Sequence, residues 1–152
     1  MHASVPGRDG TKRTPRTFDS TIGFLRRHAP FSAMDSAQLD FLAKRLRPSY
    51  YPRGSQVRIF DEHAGEVLLI VRQGLVVANP VSPLPGASPR RLVPGDSFFL
   101  EPRSAHPTRG SAFRAEADTI CLELEHEGLK KLLGTSPVFR AFHAHTGRIR
   151  IG

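Results

Sequence analysis

Residues Glu66–Ala78 read EVLLIVRQGLVVA. Two short apolar runs, Val67–Val71 and Leu75–Ala78, flank a Gln-Gly pair at positions 73 and 74. Runs of this length, rich in Val and broken by glycine, fit strands and are too short for a helix. They also fall far short of the roughly 20 apolar residues that a membrane helix needs. The stretch predicts strands over Glu66–Arg72 and Leu75–Asn79 with a turn between them.

Working outward, the same texture recurs. Strands are predicted over Ser49–Tyr51, Gln56–Phe60, Arg91–Val93, Ser111–Glu116 and Thr119–Leu124, set apart by Pro52-Arg53-Gly54, Glu62–Gly65 and Pro94-Gly95-Asp96. The stretch Pro80–Pro89 holds four prolines and is predicted as a loop, because proline cannot donate to a central ladder. Many short strands at even spacing predict a mainly β jelly roll or barrel.

Helical spacing appears on either side of the strands. Ile22, Phe24 and Leu25 follow the capping candidates Asp19, Ser20 and Thr21, and Pro30 closes that helix. Leu39, Leu42 and Leu46 follow Asp35 and Ser36, and Pro48 closes the second. After the strands, Glu125–Leu133 is predicted helical. Ser136-Pro137 then opens a further helix with Val138, Phe139 and Phe142 on its apolar side. The expected division is a disordered basic tail over 1–18, one folded domain over 19–145, and a short tail over 146–152.

A chain of 152 residues is long enough to bury its own core. Its single cysteine, Cys121, rules out an internal disulfide and reads as a core residue of a cytoplasmic protein. The net charge of +8, from 22 Lys+Arg against 14 Asp+Glu, favours anionic partners. Those cations are spread along the chain instead of lining one helix, which argues against DNA binding by this chain alone. His143 and His145 point apart if they lie on a helix, and no phosphate loop, nucleophile elbow or metal-ligand set is visible. The expectation is a protein that is not an enzyme and holds no cofactor or metal.

In this order the elements resemble the cyclic-nucleotide-binding domain, over roughly Ile22 to Phe142. The resemblance is carried by FLRRHAPFSAMDSAQLDFLAKRLRPSYYPRGSQV (24–57), by the opening stretch itself as a central hairpin, by RLVPGDSFFL (91–100) and by TRGSAFRAEADTICLEL (108–124). FLRRHAPF, PTR (107–109) and RAEADTICLEL resemble most closely a bacterial subgroup. There the sensor is fused to cystathionine-β-synthase-type and nucleotidyltransferase-like domains, so this chain would be a stand-alone sensor or a piece of something longer.

The resemblance implies a β-roll, related to the cupin-like double-stranded β-helix, that binds cAMP or cGMP through a phosphate-binding cassette. It implies Arg109 as the phosphate ligand, with Gly110 and Ser111 offering N–H groups, and Gly95-Asp96, followed by Ser97, as the cassette's opening. There Asp96 would accept from the ribose hydroxyl. A planar guanidinium suits phosphate oxygens better than an ammonium does. A regulated partner protein, missing downstream domains and a homodimer are the partners implied. A second reading stays open, a fold that has lost the nucleotide and acts as an interaction scaffold. It is favoured by the bulky Phe98 and Phe99 and by the extra prolines 102 and 107.

Overall fold

The computed structural model describes residues 15–57, 65–80, 88–100 and 111–151. Helix α1 (Pro15–Arg26), a single 3-10 turn (Phe31–Ala33) and α2 (Ser36–Arg45) precede seven strands. These are β1 (Arg47–Tyr51), β2 (Val67–Gln73), β3 (Val76–Pro80), β4 (Arg90–Leu92), β5 (Ser97–Leu100), β6 (Ser111–Ala115) and β7 (Thr119–Leu124). Helices α3 (His126–Thr135) and α4 (Pro137–Ile151) follow.

The strands form two antiparallel sheets, ordered β1-β7-β2-β5 and β4-β3-β6. Alternation along β2 shows how they are used. Val67, Leu69 and Val71 join Val76, Ala78, Leu92, Phe98, Phe113 and Cys121 in a core between the sheets. Leu68 and Ile70 point the other way, to Phe24, Leu25, Leu39, Leu42, Leu129 and Phe139 of the helical layer. A strand buried on both faces needs a continuous apolar run, and Val67–Val71 supplies it.

The two predicted strands at Glu66–Ala78 are present, yet they do not pair with each other. β2 belongs to one sheet and β3 to the other, so the expected hairpin is a corner. The reason is local. Gly74 sits at φ +102, with Thr119 and the Asp118 carbonyl pressed where a Cβ would stand. The Thr119 hydroxyl lies 3.2 Å from both Leu75 N and Leu75 O. Similar corners follow β1, at Gly54 (φ +90), and β4, at Gly95 (φ +99), and precede β7 at Glu116–Asp118. Arg53 N donates to Asp118 Oδ1 at 3.0 Å, and Glu116 N to Leu75 O at 2.9 Å, which ties the corners at Gly54, Gly74 and Glu116–Asp118 together. They define one end of the roll. The other end is marked by the start of β2, the end of β3, the start of β4, the end of β5 and the start of β6.

Several boundaries differ from the sequence reading. α1 starts at Pro15, so residues 15–18 are helical and do not belong to a tail; proline is well tolerated in a first turn. α4 continues to Ile151, because one internal glycine, Gly147, costs only about 1 kcal/mol and does not stop a helix. Pro48 lies inside β1, an edge strand where a missing donor is tolerated. Of Gln56–Phe60 only the isolated bridge Gln56↔Arg114 is described, and 58–60 fall outside the described residues. Ser97–Leu100 is a strand that the sequence reading did not assign.

Ser136 caps α4 as expected, and of the two starts left open for α2, Asp35 or Ser36, the cap is Asp35. Asp35 accepts from Gln38 N at 2.9 Å, and the buried Ser136 accepts from Phe139 N at 3.1 Å with Pro137 in the first helical position.

Candidate functional site

Six residues were expected to line an anion site, and the structure describes four of them. Arg109 and Gly110 lie outside the described residues. Ser111 opens β6, paired with Pro80 and two positions before Phe113. Gly95 and Asp96 lie at the corner end, separated from the far end by the whole of β5. Four strand residues span about 13 Å. The structure therefore does not bring Gly95 and Asp96 beside Ser111.

The bonding of Gly95 and Asp96 explains their residue types without a ligand. Gly95 N donates to Val71 O at 2.8 Å, and Val71 N donates back to Asp96 O at 2.9 Å. The Asp96 carboxylate accepts from Val93 N at 2.9 Å, while Asp96 N donates to Val93 O at 2.9 Å. One carboxylate oxygen is thus spent on closing the turn. A Cβ on Gly95 would fall inside the His28 ring. Ser97 pairs with Ile70, which faces the helices, so Ser97 shares that face and turns away from the core between the sheets. Its Oγ is buried without a hydrogen-bond partner.

At the far end the core between the sheets is aromatic. Phe98 stacks on Phe113 with centroids 4.5 Å apart and planes at 26°, bridging β5 to β6. Leu100 and Val67 pair one step further out on the same inner face. The chain leaves the edge strand β5 at Leu100 and returns at Ser111 on β6, an edge strand of the other sheet. Residues 101–110, between those two strands in sequence, lie outside the described residues.

The same end carries contacts that the sequence reading did not anticipate. Glu66, just before β2, accepts from His143 Nε2 of α4 at 2.8 Å, and its carbonyl oxygen lies 2.9 Å from His126 Nδ1 of α3. Phe99, facing the helices, receives the His143 ring edge-on at 4.7 Å and lies 6.1 Å from Phe139 and 6.0 Å from Phe142. α4 is thereby seated against the last strand before residue 101. The signal available was the His-x-His spacing. On a helix it leaves one imidazole facing inward and one, His145, exposed.

Two side chains nearer the corner end are chemically quiet. Burial, reinforced by the Glu123 carboxylate, pushes the Cys121 thiol up to about 12 and the Tyr51 hydroxyl up to about 12. Among the described residues no group of three or more His, Cys, Asp or Glu side chains is arranged to hold a metal ion. No helix among them is long and apolar enough to cross a membrane.

No protein-family model matches the chain, and no curated protein matches it. Solved structures do. A regulatory subunit of a cAMP-independent protein kinase A from Trypanosoma cruzi, bound to guanosine, superposes with a TM-score of 0.62 at 20% identity, over 84% of this chain and 45% of that one. The regulatory domain of Toxoplasma gondii protein kinase A with cAMP gives 0.65 at 21% identity, over 88% and 51%. The chain thus spans about half the length of these two. A single domain described as PKAR CBD2 bound to Sp-2Cl-cAMPS gives 0.65 at 18% identity, over 90% of each chain. At such identities the likeness is one of fold: the chain folds as the mainly β roll with flanking helices seen in these three structures.

Proposed function

We propose that this chain is a non-catalytic regulatory domain that binds a cyclic nucleotide, cAMP or cGMP, at the far end of its β-roll. The observation that carries the reading is that β5 ends at Leu100 and β6 begins at Ser111 on opposite sheets, at the same end of the roll, in a fold shared with nucleotide-bound regulatory domains. Arg109 is the phosphate ligand in this reading, with the Gly110 and Ser111 N–H groups beside it. Gly95, Asp96 and Ser97 shape the corner and the strand that ends at Leu100. Binding shifts the seating of α4 and so signals to a partner protein or to domains outside this sequence, in the cytoplasm.

The test is titration calorimetry of the 152-residue chain with each nucleotide. Saturable heat with cAMP or cGMP, lost in Arg109→Ala, is expected. An Arg109→Ala chain that titrates like the parent removes this site.

The Phe98–Phe113 stack favours a second reading. It fills the space between the sheets, and a nucleotide-free scaffold has that use for it. In that case neither nucleotide raises the melting temperature, whereas a ligand at 100 times its Kd stabilises by about 2.7 kcal/mol.

A further inference from the structure

From the register of the smaller sheet we infer that Arg90 is a second anion-binding arginine of the roll, acting on the phosphate of the nucleotide proposed above, on which reading this inference rests. β4 is three residues long and its neighbours fix which way each side chain faces. Leu92 pairs with Val76, both in the core between the sheets, so Leu92 faces inward. Arg91 pairs with Val77, which in turn pairs with Arg114, and this row covers the outer face. Arg90 pairs with Ala78, which pairs with Phe113. Ala78 and Phe113 both belong to the inner core, so Arg90 is on the inward-facing row.

Its position along the strand matters equally. β4 runs from Arg90 toward the corner at Gly95, so Arg90 stands at the far end, where β5 stops at Leu100 and β6 begins at Ser111. The row it belongs to contains the Phe113 ring that stacks on Phe98. A planar guanidinium on that row offers charge and paired N–H donors for a phosphate. Among the described residues Arg90 has no ion-pair partner, whereas Arg114, on the outer face, lies 4.0 Å from Glu116. Among the described residues the inner row with Arg90 holds Ala78 and Phe113, neither of which carries a charge.

Arg91 is the built-in control. It is adjacent, exposed and identical in charge, and differs only in the face it occupies. Calorimetric titrations with cAMP and cGMP should compare the parent chain with Arg90→Ala, Arg90→Lys and Arg91→Ala. Arg90→Ala is expected to weaken binding about tenfold or more, Arg90→Lys to recover part of the loss, and Arg91→Ala to stay within about twofold of the parent. Arg90→Ala and Arg91→Ala titrating alike, on a parent that binds, overturns the role of Arg90 and leaves the proposed function standing. A parent that binds neither nucleotide overturns the proposed function and this inference with it. Both positions are exposed, and matching melting temperatures for the two alanine variants exclude misfolding as the cause.

Discussion

A methyl group at position 95 has nowhere to go. The backbone there sits at φ +99, and the imidazole of His28 occupies the volume that a Cβ would need. Gly95→Ala is expected to destabilise the fold by about 1–3 kcal/mol, read as a lower denaturant midpoint. Adding His28→Ala should recover the steric share and leave the backbone share. Full recovery in the double variant would show that φ carries no strain here. Thr119 is a second such point. Its buried hydroxyl donates within reach of Leu75 O and, at 2.8 Å, Ala117 O, and accepts from Leu75 N. Thr119→Val should therefore cost about 1–3 kcal/mol and Thr119→Ser much less. Cys121 yields a prediction of sign. Its folded pKa is raised, so the thiol's contribution to stability is complete below the unfolded value near 9 and is lost as pH rises toward 12. In the native protein at pH 8 a thiol reagent should label it only at the rate of unfolding; fast stoichiometric labelling would contradict the burial. At this scale the sequence was half legible. Glycine at a corner and a buried cysteine follow from residue type alone. The turn at Pro94-Gly95-Asp96 was legible too, whereas its bonds to Val71 were not, because that contact is distant in sequence.

Among the elements, period decided what could be read. Thr119–Leu124 and the Glu66–Asn79 strands were visible because their apolar residues alternate or run together at strand length. β5 was hidden for a physical reason. Ser97–Leu100 offers only four residues without polar alternation, because Phe98 serves the core between the sheets and Phe99 the helical layer. α4 was legible at its start, where Ser136 and Pro137 signal a cap, and not at its end, where Gly147 looks like a stop. Its seat is the Phe31, Phe99, Phe139 and Phe142 cluster, with ring centroids 5.8–6.2 Å apart. Phe139 is fully buried, so Phe139→Ala is expected to cost about 3–5 kcal/mol. The loss should appear first as faster amide exchange in α4. An unchanged melting temperature would mean that the helix is not held by this cluster. Arg45 of α2 and Glu125 just before α3, bonded at 3.0 and 3.2 Å, are too exposed to add much to the packing of those two helices.

For the whole molecule, the arrangement of the two ends matters most. One end gathers the glycine corners at 54, 74 and 95; the first two are tied through residues 115–119, and the third bonds to Val71 of β2. At the other, β5 and β6 end and begin on opposite sheets, with Arg90 on the inner row and Glu66 holding α4. The roll itself was legible from the spacing of short strands. The polarity of its ends was not, because it follows from which strands pair, and pairing is non-local. For that reason Gly95 and Asp96 read as companions of Ser111 in sequence and stand at the opposite end of a strand from it in space. Amide hydrogen exchange with and without saturating cAMP or cGMP tests this division directly. Slower exchange at Val67, Leu100, Phe113 and the start of α4, with Leu75, Gly95 and Asp96 unchanged, is the predicted result. Slowing confined to Gly95 and Asp96, or none anywhere, would contradict a ligand site at the far end of the roll.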